Sequence, residues 1–225
     1  MPELPEVQTV VDHLRADLVG EKIIAIRPIW LKVLHNFDPN DLFKKNHGLE
    51  IKDVTRRAKF IIFHLPSSLL AIHLRMTGKL YIFNEEIPKH TTAIFELESG
   101  KKIIFEDTRK FGRIYLYENL DLINKRHGIE PLGAEFTKTW LFTELKKKKR
   151  NIKALLLDQS FIAGLGNIYT DESLWVSRIH PNSISNAIPK TRVIKLHQAI
   201  QTLLKNAIEA KGTTIINFSY LKGQS

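Results

Sequence analysis

The spacing of apolar residues at the start of the chain is helical, because it places on one face Val7, Val10, Val11, Leu14 and Leu18. Pro5 suits the first turn of such a helix, and Gly20 supplies a stop. The chain is therefore predicted to open with one amphipathic helix.

After this helix the pattern becomes typical of short strands. Runs rich in β-branched and aromatic residues occupy positions 22–29, 60–65, 69–74, 79–83, 93–97, 102–105 and 113–117. Residues 98–101 (ESGK) form a predicted hairpin turn between two of the runs. Many short strands separated by turn residues predict an antiparallel sandwich or barrel.

The spacing of apolar residues changes again near Pro131, and from there on it is helical. Helices are predicted over 139–148, 151–159, 167–177 and 190–210. The fold class is therefore α+β: an N-terminal antiparallel β-sandwich with an amphipathic N-terminal helix, followed by an all-α domain. We place the domain boundary so that the two domains cover residues 1–131 and 132–225.

Charge is the strongest bulk property of the sequence. The 34 Lys and Arg residues exceed the 24 Asp and Glu residues, which gives a net charge of +10 and a pI near 9.7. Such a balance favours a polyanionic partner, and the run KKKKR at 146–150 could follow a phosphate backbone. A basic protein with solvated helix ends is the alternative that charge leaves open.

Other compositional features limit the class of protein. There is no cysteine, which excludes disulfides and thiolate metal sites. No apolar run is long enough for a membrane span, and the opening MPELPEVQTV is too polar for a secretory signal. We expect a cytoplasmic protein with no membrane partner.

The N-terminus offers an unusual nucleophile. If Met1 is removed, Pro2 exposes a secondary α-amine, whose reference pKa of about 8 lies below the value of about 10.4 for lysine. More of it is therefore neutral and able to form a Schiff base. Glu3 and Glu6 flank this amine and could act as general acid or base. Glu6 is equally explained as a first-turn acid favoured by the helix dipole.

The whole opening string resembles the start of the formamidopyrimidine-DNA glycosylases, bacterial enzymes that excise 8-oxoguanine and ring-opened purines and then nick the strand. Further matches follow in order along the chain: RRAKF (56–60), HLRMTGKL (73–80), KH (89–90), DTRKFG (107–112), LGAEF (132–136), IKALLLDQ (152–159), GLGNIYTDE (164–172), IHP (179–181) and GTTI (212–215). The opening PELPEV, rather than PEGPE, favours this branch over the similar endonuclease VIII group.

The resemblance implies catalytic roles for particular residues. Pro2 would attack C1′ of the damaged nucleotide and form a covalent imine, and Glu3 would protonate the sugar ring oxygen. Lys59 would assist β-elimination, and Glu6 is kept as a second catalytic carboxylate. Without the resemblance, Lys59 would be interpreted as a surface lysine of a strand.

The resemblance also implies how duplex DNA is held. Extrusion of a base leaves a gap, and Met76, Arg109 and Phe111 would fill it, with Arg109 bonding the orphaned base, typically cytosine. Met76 and Phe111 lie in polar, turn-like stretches, so we expect both to be exposed.

Contacts to the DNA backbone are implied for His73, His90, Lys149 and Asn167. The turn GLGNIY matches the helix-two-turn-helix of the family, and its amides and helix N-terminus could hold a phosphate. A plain helix–helix connection is the alternative for this turn.

Two departures from the family pattern are visible. The family usually binds one structural zinc ion through four cysteines on a C-terminal hairpin, and this chain has none, so no cofactor and no metal ligand are expected. Lys211 stands where a second glycine usually precedes GTT. A protein of these residues alone is expected to be a monomer near the bacterial nucleoid, and to bind weakly to duplex DNA with oxidised purines or abasic sites.

Three functions remain in competition. The first is the bifunctional glycosylase and lyase, the second a non-catalytic or weakly active DNA-binding remnant of the family, and the third an RNA-binding protein. The presence of Pro2, Glu3 and Lys59 favours the first, since a pure binder has no need of the N-terminal amine.

Overall fold

The computed structural model describes residues 1–44, 48–83 and 86–211. The motif GTTI, at 212–215, lies outside the described residues.

The chain divides into two compact units. The first holds Met1–Pro2 and Glu6–Leu120, and the second holds Glu3–Pro5 and the chain from Asp121 to the end of the described residues. Glu3 therefore belongs to the second unit, although Pro2 directly before it and Glu6 three positions after it belong to the first. The boundary expected between residues 131 and 132 concerns independently folding domains and stays a prediction.

The first helix, α1, spans Leu4–Leu18, as the apolar spacing predicts. The five apolar residues of its predicted face are at most 3% exposed and pack in the core of the first unit. Glu6 lies in its first turn.

The strands of the first unit are β1 (Lys22–Pro28), β2 (Leu49–Glu50), β3 (Asp53–Arg57), β4 (Phe60–His64), β5 (Leu69–His73), β6 (Gly78–Phe83), β7 (Thr91–Leu97), β8 (Lys102–Asp107) and β9 (Arg113–Tyr117). They form a five-stranded sheet in the order β2-β1-β7-β8-β6 and a four-stranded sheet in the order β3-β4-β5-β9. Each described strand pair is antiparallel. Both sheets contribute to one hydrophobic core, so the predicted sandwich is confirmed.

Alternation along the strands explains this packing. In β4, Ile61 and Phe63 are fully buried in the core, opposite Ile72 and Leu70 of β5. The predicted turn at 98–101 is also confirmed, because the Leu97 amide donates to the Lys101 carbonyl at 3.0 Å.

Four described elements of the first unit were not predicted: β2, β3, the helix α2 (Pro39–Lys44) and a single 3-10 turn at Leu31–Val33. β3 reads DVTRR, and Val54 is its one fully buried residue, since the strand lies at the edge of its sheet. Such a strand carries too few apolar residues to show period-two alternation.

The second unit is helical, with α3 (Asp121–Arg126), α4 (Lys138–Lys146), α5 (Ile152–Leu157), α6 (Asn167–Ser177) and α7 (Lys190–Glu209). Local capping explains two of the starts: the side chain of Thr137 accepts from the Trp140 amide, and that of Asn151 accepts from the Ala154 amide. The predicted α+β fold class is thus confirmed, although α3 was not predicted. Within the described residues, no helix combines the length and apolar character that crossing a bilayer requires.

Candidate active site and nucleic-acid interface

Glu3 is a buried carboxylate held by the N-terminus of α6. Its side chain is 2% exposed. Oε2 accepts hydrogen bonds from the amides of Gly166 at 2.7 Å and Tyr169 at 3.3 Å, and Oε1 accepts one from Ile168 at 2.8 Å. These donors and the helix dipole bind a carboxylate more strongly than a neutral acid. The geometry therefore favours the ionised form of Glu3.

The loop before α6 fits closely around the start of the chain. The Leu4 amide donates to the Gly164 carbonyl at 3.0 Å. A Cβ on Gly166 would lie 2.4 Å from Cδ of Glu3, and one on Gly164 would lie 2.8 Å from Leu4. Gly164 also has a φ of +89°, which favours glycine. Glycine at both positions is what allows Glu3 and Leu4 to approach the loop.

Gln159 holds this glycine loop from the other side. Its Oε1 accepts from the Gly164 amide at 2.9 Å, while its Nε2 donates to the carbonyls of Leu165 at 2.8 Å and Leu157 at 3.0 Å. One side chain thus binds an amide and a carbonyl of the turn, together with the carbonyl at the end of α5. Its sequence neighbour Asp158 accepts from Ser160 and Arg150, and these hydrogen bonds lower the pKa of the Asp158 carboxyl.

Three amides of this turn are bound to Glu3, and a phosphate contact at the turn stays a prediction. The amides of the turn do bind an anion at a helix N-terminus, as expected from its geometry. The anion, however, is the Glu3 carboxylate of the same chain. Asn167 is exposed at the first position of α6 and stays a predicted contact to the DNA backbone.

The other candidate catalytic residues are buried as well. Pro2 is buried, Glu6 is 3% exposed and Lys59 is 5% exposed. Lys59 lies in the turn that joins β3 to β4, so the alternative interpretation as a surface lysine of a strand is wrong. Buried acids and lysines are rare unless they are paired or functional, and this burial supports a functional site.

Side chains predicted to fill the DNA gap lie on two turns of the first unit. Met76 is 39% exposed between β5 and β6, and Phe111 is 46% exposed between β8 and β9. The expected exposure of both is confirmed. The Arg109 guanidinium lies over the Phe111 ring, 4.8 Å from its centroid. The second turn therefore presents a cation and an aromatic face together.

Asp107 connects these turns. It is 1% exposed, and its carboxylate accepts hydrogen bonds from the amides of Arg109 at 3.1 Å and Gly112 at 2.7 Å, and from the Thr77 hydroxyl. Its own amide donates to the carbonyl of His90 at 2.9 Å. The segments that carry Met76, Arg109 and His90 are thus brought together around one buried acid.

Three further residues are predicted to contact the DNA backbone. His73 is 9% exposed, and its Nδ1 accepts from the Arg75 amide at 3.0 Å, so the proton of a neutral ring lies on Nε2. His90 is exposed after β6, and Lys149 is exposed between α4 and α5. Their contacts to DNA stay predictions.

Sequence reasoning named no role for Thr77, Asp107 or Gln159. Each stood inside a quoted motif, yet its hydrogen bonds run to groups 2 to 32 positions away. An acid directly before a polar turn was the one local signal, and it pointed to Asp107.

The four-cysteine zinc site of the family does not fit this chain. The 225 residues contain no cysteine, and no group of three or more His, Asp or Glu side chains is placed to hold a metal in the described ranges.

Comparison with known proteins identifies the family. The model of the formamidopyrimidine-DNA glycosylase N-terminal domain matches residues 1–114, and that of the formamidopyrimidine-DNA glycosylase H2TH domain matches residues 127–219. The chain belongs to the formamidopyrimidine-DNA glycosylase family.

Relatives and solved structures agree with this family. The chain is 39% identical to the formamidopyrimidine-DNA glycosylase of Herpetosiphon aurantiacus, over 100% of this chain and 85% of the relative. A mutant of the Lactococcus lactis enzyme with Fapy-dG containing DNA superimposes with a TM-score of 0.89 at 34% identity, over 98% of this chain and 83% of that one. MutM with carbocyclic 8-oxo-G containing DNA gives a TM-score of 0.87 at 35% identity, over 95% and 82%.

Proposed function

We propose that this protein is a base-excision DNA glycosylase with AP lyase activity, which removes 8-oxoguanine and formamidopyrimidines through a Schiff base on Pro2. The observation that carries the proposal is the buried carboxylate of Glu3, the residue that follows the proposed nucleophile in sequence, which is fixed by three backbone amides. A protein that only binds DNA has no need of a fixed carboxylate next to its N-terminal amine. The relatives that share the fold are named for the same activity.

The ionised state of Glu3 suggests how the protons balance. A neutral secondary amine that attacks C1′ becomes an ammonium, whose proton must leave before an imine can form. The attack expels the base, which leaves with the electron pair of the C1′–N bond and takes a proton from water. The Glu3 carboxylate accepts the proton of the ammonium and then delivers it to the ring oxygen, which departs from C1′ as a hydroxyl while the amine lone pair completes the imine. Glu3 thus acts as base and then as acid, and no external proton donor is needed for ring opening.

Lys59 and Glu6 take part in later proton transfers in this proposal. β-Elimination requires loss of a proton from C2′ of the imine and departure of the 3′ phosphate. Lys59, which is 5% exposed, is the candidate base for the C2′ proton. Glu6, in the first turn of α1, is the second candidate carboxylate.

The partner in this proposal is duplex DNA with an oxidised purine or an abasic site. Met76, Arg109 and Phe111 would occupy the gap, and His73, His90, Lys149 and Asn167 would contact the backbone. We further propose a monomer that acts in the cytoplasm of a bacterium, since the relatives come from bacteria.

Borohydride trapping tests the proposed chemistry. The protein is incubated with borohydride and one of three duplexes, containing 8-oxoguanine, an abasic site or neither. A covalent adduct is expected with the abasic duplex, a slower one with 8-oxoguanine, and none with the undamaged control. Absence of any adduct at the abasic site would refute the imine mechanism.

A further inference from the structure

Two turns of the first unit meet through a hydroxyl and a carboxylate that the proposed chemistry does not use. The turn after β5 carries Met76, and the turn after β8 carries Arg109 and Phe111. Thr77, next to Met76, donates its hydroxyl hydrogen to Asp107 and accepts one from the Arg109 amide at 3.1 Å. A single hydroxyl group therefore joins both turns.

Asp107 fixes the second turn at both ends. Oδ1 accepts from the Arg109 amide at 3.1 Å, and Oδ2 accepts from the Gly112 amide at 2.7 Å. Since Asp107 is 1% exposed, water does not compete for these bonds, and their loss would leave buried polar groups unpaired. The path of the chain from Arg109 to Gly112 is thus set by this carboxylate.

Both turns also hold a residue in a conformation that side chains rarely adopt. Arg75 has a φ of +58° and Lys110 a φ of +57°, although neither is glycine. A left-handed conformation is unfavourable for such residues and persists only where the surrounding structure holds it. Each strained residue directly precedes one of the exposed apolar side chains, Met76 and Phe111. The hydrogen bonds of Thr77 and Asp107 join the two turns, beside local bonds such as the one from the Arg75 amide to His73 and the one from Arg113 to the Lys110 carbonyl.

We propose that Thr77 and Asp107 are positioning residues, which hold Met76, Arg109 and Phe111 in one fixed arrangement before DNA is bound. The inference rests on the proposed function, because these three side chains would fill the gap that an extruded base leaves. Thr77 and Asp107 then act on recognition of the base opposite the gap and not on the imine chemistry at Pro2.

The test compares Thr77→Val with Thr77→Ser. Valine has nearly the shape of threonine but neither donates nor accepts, whereas serine keeps the hydroxyl. Binding is measured to two duplexes that carry a tetrahydrofuran abasic analogue opposite cytosine or adenine, and the ratio of the two dissociation constants is the readout. A ratio taken within one variant is not moved by a general loss of folded protein.

We expect the wild type and Thr77→Ser to prefer cytosine to the same extent. In Thr77→Val the preference should fall about threefold to tenfold, the scale of a lost side-chain hydrogen bond. Asp107→Asn, which turns an amide donor toward a backbone donor, should lose at least as much. An unchanged ratio in Thr77→Val, or an equal loss in Thr77→Ser, would overturn the inference.

Trapping by borohydride on a single-stranded abasic oligonucleotide separates the inference from the proposed function. No opposite base is present there, so Thr77→Val should form the adduct within about twofold of the wild-type rate. A fall in trapping of more than about twofold would show that Thr77 also supports the imine chemistry, against the inference. If the wild type itself gives no adduct, the imine chemistry fails, while the binding ratio still decides the role of Thr77.

Discussion

Oε1 of Glu3 accepts a hydrogen bond from the amide of Ile168 at 2.8 Å, across 165 positions of sequence. This contact makes the helix-two-turn-helix part of the proposed catalytic apparatus, because the first turn of α6 holds the acid beside Pro2. The same turn resembles a DNA-binding element in its sequence. In this chain the amides of Gly166, Ile168 and Tyr169 bind Glu3, and a DNA contact by the exposed Asn167 stays a prediction.

Gly166→Ala tests whether this docking matters. The added Cβ would lie 2.4 Å from Cδ of Glu3, so the carboxylate must move. We expect borohydride trapping at an abasic site to fall by at least about a hundredfold, the scale of a lost general acid or base. Gly133→Ala is the matched control, since its Cβ would lie 3.3 Å from the nearest atom, the Glu130 carbonyl oxygen. Similar trapping rates in the two variants would contradict the role assigned to the turn.

Glu3→Gln separates chemistry from binding. Glutamine retains the size of the side chain but has no negative charge, and its NH2 group faces amide donors. Base release should fall by at least about a hundredfold while affinity for a lesion duplex is retained. Glu172→Gln, on the exposed surface of α6, should leave both unchanged. Equal losses of affinity and rate in Glu3→Gln would count against a role in the chemical step.

Arg178 offers a test of stability. It ends α6 in a left-handed conformation, with φ +53° and ψ +47°, and its side chain is exposed. Glycine at this position removes the steric cost, so Arg178→Gly should raise the free energy of unfolding by about 1 kcal/mol. Lys195→Gly, inside α7, should lower it by about 1 kcal/mol. Urea denaturation measures both, and a destabilised Arg178→Gly would show that the Arg178 side chain contributes more than its backbone strain costs.

Asp158 predicts a dependence of stability on pH. Hydrogen bonds from Ser160 and then Arg150 lower the pKa of its carboxyl in the folded state. The stabilisation is therefore complete above the unfolded pKa of about 4 and is lost as the pH falls through the lower folded value. Unfolding midpoints measured between about pH 6 and pH 3 should fall less steeply for Asp158→Asn than for the wild type. Parallel curves would exclude a contribution from Asp158.

Much of the fold could be predicted from local pattern. The spacing of Val7, Leu14 and Leu18 predicts α1. The helical spacing of apolar residues over 190–210 predicts α7 to within one residue, although no side chain caps its N-terminus. β3 was missed because Val54 is its one buried residue. A strand that buries one side chain and is held by pairing with its neighbour leaves too little apolar pattern in the sequence to be predicted.

The candidate site was predictable in its residues but not in its connections. The type and order of Pro2, Glu3 and Lys59 indicated the chemistry. A phosphate contact at the GLGN turn stays a prediction, whereas the bond from the Gly166 amide to Glu3 could not be predicted, because the two residues are 163 positions apart. Asp107 was overlooked for a related reason: its carboxylate binds Thr77, 30 positions away, and a pattern within one turn does not show that contact.

The attachment site of the covalent adduct tests the central claim most directly. The protein is trapped with borohydride on an abasic duplex, digested, and the modified peptide is mapped by mass spectrometry. The account predicts that Met1 is absent from the trapped protein and that the sugar is attached to the nitrogen of Pro2. An adduct on Lys59, or one formed by protein that retains Met1, would contradict it.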